Sequence, residues 1–420
     1  MHAGDTAWVL VSAALVLFMT PGLALFYGGM VRAKNVLSVL VQSFLAMGIV
    51  TVLWAVVGFT LAFSGGSAGR VIGNLAFAGL GGLHHGLPGF SALAVSPDAV
   101  MVFQMMFAVI TAALLVGAAV DRMRVAGFAV LLVVWLLLVY VPIAHWVFSP
   151  TGWLAQLGVR DFAGGTVVEI DSGFSSLALA LVLGCRRGWP REPMRPHSIP
   201  LTVLGAGILW FGWFGFNAGS ALAANGSAVH AFVNTQLAAA TGLLGWVLFE
   251  AVKDQVTTAL GAVSGAVAGM VAITPCAGFV GPMPALLIGL VAGVVCPLAV
   301  QLKYRFRYDD SLDVLAVHGV GGLIGMVLLG VFASRSLDGG APGLVSGGVH
   351  LFGVEVLAAV VTATYCFTVT YGLARLVQRF VGLRVTPEQE QQGLDIALHG
   401  ENAYPAAAPG HLIPAGGEPG

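Results

Sequence analysis

Asp161-Phe-Ala-Gly-Gly-Thr-Val-Val-Glu-Ile-Asp-Ser-Gly173 opens an apolar run that continues to Val182. Read as a membrane helix, the run puts Glu169 and Asp171 inside the span. An ionisable side chain at the bilayer centre costs about 2.5–3.5 kcal/mol on insertion scales, and it persists where it faces a cavity, a partner or a transported species. A second stretch, Asp313-Val-Leu-Ala-Val-His-Gly-Val-Gly-Gly322, has the same character, with His318 inside the apolar run. Together the two stretches predict one polar path, lined by Glu169 and His318, through an otherwise apolar protein.

Composition agrees with a membrane setting. Of 420 residues 58% are apolar and 9% are charged, against about 25% charged in a soluble domain. The 58 glycines suit helices that pack closely in lipid. A net charge of −1 gives no footing for nucleic acid. The four cysteines, Cys185, Cys276, Cys296 and Cys366, are scattered without metal-ligand spacing and read as packing residues. No cofactor or metal is expected. The first residues hold no Lys or Arg, so the first apolar run reads as a retained helix rather than a signal peptide.

Eleven runs are long enough to span at the ~20 residues a bilayer core requires. They fall near 7–28, 37–63, 98–119, 125–145, 165–184, 199–219, 231–250, 259–274, 284–303, 312–333 and 347–372. With the N-terminus outside, all but Arg70, Arg160 and Arg335 of the 18 Lys and Arg lie in cytoplasmic connections or the tail. That bias predicts an N-out, C-in multi-pass membrane protein.

Span one ends in Leu-Phe-Tyr-Gly-Gly-Met-Val (25–31) and span six in Gly-Phe-Asn-Ala-Gly-Ser-Ala (215–221); span five carries Glu169 and span ten His318. Five spans per unit is odd, so the second unit is inverted relative to the first, an arrangement that sets substrate paths near the midplane. The expected fold is an all-α polytopic membrane protein of two inverted five-helix repeats plus a C-terminal brace helix. The transmembrane domain covers 1–374: repeat one about 7–184, repeat two about 199–333, helix eleven about 347–374. A cytoplasmic regulatory tail follows at 375–404, and 405–420 is expected to be disordered.

The motifs are Asp5-Thr-Ala-Trp-Val-Leu10, Pro21-Gly-Leu-Ala-Leu-Phe-Tyr-Gly-Gly29, Phe103-Gln104 with Phe107, Tyr140-Val-Pro-Ile-Ala-His145, Asp161-Phe-Ala-Gly-Gly-Thr166, Trp213-Phe-Gly-Phe-Asn-Ala-Gly-Ser220, Ile273-Thr-Pro275, Asp309-Asp310 with Asp313 and His318, and Gly393-Leu-Asp-Ile-Ala-Leu-His-Gly-Glu401. With these the chain, to about Tyr404, resembles the ammonium transporter family (Amt/Mep/Rh), in its Amt branch. The resemblance implies a homotrimer with one narrow pore per subunit. Phe107, Phe148, Ser220 and Phe103 would form an outer vestibule, and Phe107 with Phe216 a ring gate. Glu169 and His318 would stand in the lumen, with Asp161, Trp213, Asn217 and Asp313 as structural support. It also implies docking of a PII-type signal protein on the cytoplasmic face.

Two residues depart from the family pattern. Glu169 stands at the place of the first lumen histidine, where fungal members include natural Glu variants. Phe148 stands at the vestibule Trp; Trp153 lies nearby but displaced. By residue type alone the four phenylalanines are ordinary core; the family positions give them a vestibule and gate role.

The chemistry fits a small cation. A dry pore strips ammonium of hydration worth several kcal/mol. Aromatic faces return about 0.5–2 kcal/mol each, Trp best, and a hydroxyl such as Ser220 accepts one N–H. Glu169 and His318 read as one coupled proton-accepting pair. Asp161 reads as a brace for the helix start, Asp171 as a bond to a neighbouring helix, and Asp313 as structural or exit-lining. No P-loop, HExxH or CxxC is present, so the expectation is a transporter rather than an enzyme. Two alternatives stand beside it: a passive ammonia channel, distinguished by the absence of current, and an ammonium sensor that binds but conducts poorly, which Phe148 and Glu169 favour.

Overall fold

The computed structural model describes residues 2–65, 70–337 and 341–404; the stretch 405–420, expected to be disordered, lies outside the described residues. Among the described residues eleven helices are long and apolar enough to cross a membrane. They are α1 (Ala3–Met30), α2 (Ala33–Phe63), α3 (Pro97–Ala119), α4 (Val125–Gln156), α5 (Gly165–Leu183), α6 (Ile199–Gly219), α7 (Gly226–Lys253), α8 (Ala259–Cys276), α9 (Pro282–Phe306), α10 (Leu315–Phe332) and α11 (Val349–Phe380). Number and order match the hydropathy reading. Several ends differ: α7 begins at Gly226 because the Asn225 side chain caps it on the Ala228 amide, and α11 continues past Arg375 and Arg379 to Phe380. Hydropathy stops at the first charge, whereas caps and helix-favouring arginines carry the helix beyond the hydrocarbon.

The architecture is two inverted five-helix units with α11 outside them. Their first helices, α1 and α6, pack along a seam of Gly22 and Gly29 against Gly205, Gly212 and Gly219. A Cβ at Gly205 would strike the Phe26 backbone, and one at Gly29 would strike Thr202. Small residues at this spacing let helices approach in lipid, where hydrophobicity alone drives nothing together. Their fifth helices, α5 and α10, cross where Gly173 meets Gly319, with no room for a side chain at Gly173. Each of these two helices begins in a π turn, Gly165–Ile170 and Leu315–Gly319.

Alternate connections gather at opposite faces. On one face Arg32 pairs with Asp121 at 3.1 Å and Arg186 with Asp309 at 2.8 Å. On the other, Asp5 accepts from the Ala224 amide, and the Phe162 amide donates to Pro275. The tail lies on the arginine-bearing face. Its short helix α12 (Pro387–Gln392) starts in a capping box of Thr386 with Gln389. Beyond it the Leu394 amide donates to Asn35 Oδ1 at 2.8 Å, and Asp395 accepts from the Ser38 amide at 2.9 Å. Three cysteines are buried as packing residues, but Cys185 is exposed: it follows the end of α5 rather than lying inside it.

Candidate functional site

On the face of the 70–96 and 220–225 connections, four phenylalanines converge. Phe107 and Phe216 stack with centroids 4.3 Å apart and planes 9° from parallel. Phe103 tilts against Phe107 at 4.9 Å, and Phe148 meets it edge-on at 6.2 Å. Phe107 and Phe216 are buried, while Phe148 is partly exposed. Ser220 ends α6 beside them, its hydroxyl donating to the Phe216 carbonyl at 2.8 Å. With the proton so committed, the hydroxyl oxygen offers only lone pairs outward, the polarity a cation's N–H requires. Trp153 does not join this group; it packs on Trp146 at 5.7 Å.

Behind the stacked rings a bonded chain fixes α6. Trp213 Nε1 donates to Thr274 Oγ1 at 3.0 Å, Asn217 Oδ1 lies 3.3 Å from the same hydroxyl, and Asn217 Nδ2 donates to Thr235 Oγ1 at 2.9 Å. Phe216 therefore sits on a helix tied to α7 and α8.

Asp161 organises the start of α5. Oδ1 accepts from the Gly164 and Gly165 amides at 2.8 and 2.7 Å, and Oδ2 from the Thr166 amide and hydroxyl. Glu169 follows in the π turn. Its Oε2 meets His318 Nδ1 at 2.7 Å, and both residues are almost fully buried. Close approach is possible because Gly322 lies over Glu169 and Gly173 over Gly319. Asp171, two residues on, turns away: Ser175 Oγ donates to it at 3.0 Å and lies 3.0 Å from Thr370 of α11, with Cys366 alongside.

Two cavities meet at the pair. A narrow one of about 20 Å³ reaches from Phe216 and Trp213 down to Glu169 and His318 between Leu23, Ile110 and Leu114. That is little more than one water needs. A wider one of about 180 Å³ runs from His318 past Phe26 and Tyr27 to Asp313 and Glu250. Asp313 lines it and pairs with Lys303 at 2.6 Å. Asp310 caps the π turn of α10, its Oδ2 accepting from the Leu315 amide at 2.7 Å. Burial first, then the nearby Asp313 charge, pushes the Asp310 carboxyl up to about 6.

The profile of the Ammonium Transporter Family matches residues 7–404. The chain belongs to the ammonium transporter family. The chain is 47% identical over 406 residues to the "Ammonium transporter" of Bacillus subtilis (strain 168), across 96% of this chain and 99% of that one. Saccharomyces cerevisiae Mep2 superposes with a TM-score of 0.86 at 36% identity, covering 92% of this chain and 88% of that chain. A structure described as "Sensor Amt Protein" superposes at 0.85 with 30% identity, covering 94% and 98%.

For this member of the family, sequence reasoning passed over the wall of the wider cavity. Tyr27, Trp246 and Glu250 come from helix ends that hydropathy treats as plain span. It also passed over Asp310 as a cap, although Asp161 precedes Glu169 by eight residues and Asp310 precedes His318 by the same number. That matched spacing is the signal that could have found it.

Proposed function

We propose that the chain moves ammonium by recruiting the cation at the aromatic mouth, taking one proton from it at the Glu169–His318 pair, and passing ammonia through the dry segment. One N–H bond of ammonium breaks, and the proton passes to the pair. Ammonia crosses, the proton leaves by way of His318, and the two recombine in the wider cavity. Three features support the route. Phe107, Phe148 and Ser220 offer ring faces and a lone pair to a cation shedding water. The space below Phe216 holds about one water. Glu169 Oε1 and His318 Nε2 bond no protein group among the described residues and so are free to exchange protons. The observation that carries the reading is the 2.7 Å contact between His318 Nδ1 and Glu169 Oε2 where the two cavities join.

Electrical recording on reconstituted protein tests it, with wild type, Glu169→His and Glu169→Ala side by side. Ammonium should evoke a current in the wild type and less than a tenth of it in Glu169→Ala. Absence of current with preserved ammonia flux makes the protein a passive gas channel. An unchanged rate and pH profile in Glu169→Ala overturns the pore role.

The likeness to a sensor Amt protein, with Phe148 and Glu169, favours a second reading: a protein that binds ammonium and conducts it poorly. Failure to restore growth of a transport-deficient strain on low ammonium, with measurable binding, selects that reading. The functional unit is a homotrimer in the inner membrane, N-terminus outside and C-terminus inside. Its role is transport rather than catalysis, and a PII-type signal protein docks on the arginine-bearing face beside the tail. Family membership and the charge bias support these assignments.

A further inference from the structure

The arginine-bearing face holds a basic cavity that the transport route does not use. It measures about 430 Å³, lies between the loop after α5 and the end of α9, and is lined by Cys185, Gly188, Trp189, Pro190, Arg191 and Arg307. The volume falls within the range of small-molecule sites, roughly 300–1,000 Å³.

The arginines here fall into two sets. Arg186 is buried and bound to Asp309 through its amide and guanidinium, and Arg187 reaches Glu390 and Gln391 of α12. Arg191, Arg305 and Arg307 are exposed, and their guanidinium groups make no hydrogen bond or ion pair among the described residues; the Arg307 carbonyl accepts from Cys185 Sγ at 3.8 Å. Glu192, the nearest acid on the loop, folds its carboxylate back over Gly188 and does not line the cavity.

The cavity also has a definite height. The end of α9 exposes Leu302, Tyr304 and Phe306, the last at 67%. Tyr304 stacks on Trp189 with centroids 5.8 Å apart and planes 17° from parallel. Aromatic side chains bared at the end of a span mark the headgroup level. Unpaired guanidinium groups therefore stand where lipid phosphates lie, and they match phosphate with parallel N–H donors. Leu302 and Phe306 supply the apolar surface below.

We propose that this cavity binds the phosphate headgroup of an anionic phospholipid, with its chains laid along the outer face of α9. Such a lipid ties the exit of α5, through Cys185 and Gly188, to Arg307, which shortly precedes Asp309 and α10. It thus braces the two helices that bring Glu169 to His318.

Native mass spectrometry of the purified full-length protein in neutral detergent tests this. The probes are phosphatidylglycerol and phosphatidylcholine, on wild type and on the Arg191→Gln/Arg307→Gln double variant. Wild type should prefer phosphatidylglycerol. The double variant should bind it about thirtyfold more weakly at low salt, the factor expected for two basic groups at the headgroup level. Its phosphatidylcholine binding should not change. Equal phosphatidylglycerol binding by wild type and variant overturns the proposal. Displacement of the lipid by inorganic phosphate at matched concentration also overturns it and assigns the cavity to a free anion. If the variant does not fold, salt decides on the wild type: a preference that persists undiminished at high salt is not made by exposed arginines, and the proposal falls.

Discussion

The unit from Asp161 to Glu169 and the unit from Asp310 to His318 are built to one plan and finished differently. Each sets an aspartate ahead of a π turn, caps an amide five residues on (Thr166 in one, Leu315 in the other), and delivers a buried titratable side chain eight residues on. Asp161 satisfies both oxygens with four donors. Asp310 leaves Oδ1 buried without a partner and has Asp313 close by. The first unit is locked under a one-water space, and the second stands electrostatically loaded at the edge of the wide cavity. The lesson is that inverted repeats conserve the means of aiming a side chain while leaving its surroundings free to diverge. A π turn is a common way of doing this, since it lies at functional sites more often than chance allows.

The largest effect expected of any change to these units comes from breaking their junction. Glu169→Ala and His318→Ala should each lower ammonium flux more than tenfold, and the double variant should be no worse than either single one. Additive losses in a flux assay would mean that the two residues work apart.

Next comes the crossing itself. Gly173→Ala drives a methyl into the Gly319 backbone, an overpacking worth about 1–3 kcal/mol. It should lower the thermal midpoint in detergent and the flux together. Gly207→Ala, with open space around its Cβ, should change neither.

The capping aspartates sharpen the comparison through pH. The Asp310 carboxyl moves from an ordinary 3.8 to about 6 on folding. It is a raised acid, so its contribution to stability is full below about pH 4 and is lost as pH climbs through 6. Asp310→Asn keeps an acceptor for the Leu315 amide and removes that loss. Its thermal midpoint relative to wild type should rise between pH 4 and 8, by the equivalent of roughly 2–3 kcal/mol. Asp161→Asn should instead destabilise at neutral pH, because an amide cannot accept on both arms.

The smallest effect belongs to the mouth. Phe148→Trp should tighten apparent ammonium affinity about two- to fivefold, the gain expected of a better cation–π face. An unchanged affinity would place Phe148 outside the binding step.

Much of this was legible in the chain. The eleven apolar runs gave the helices, because in lipid a helix must satisfy its own backbone and hydropathy has little else to report. Glu169 and His318 stood out because a titratable group in hydrocarbon is costly. The π turns were invisible: Gly165–Ile170 and Leu315–Gly319 have the composition of ordinary helix, and their register comes from Asp161, Asp310 and the Gly173 crossing. Of the wide cavity only Asp313 was marked in the sequence; Tyr27 and Glu250 come from distant segments whose meeting with it only packing decides.

His318 belongs to the wall of both cavities. The partition between the two compartments is therefore one layer of side chains, His318 with Phe26 and Val267. Whatever traverses the protein must pass that layer after the one-water space, and a modest swing of the imidazole changes the resistance of the entire conduit.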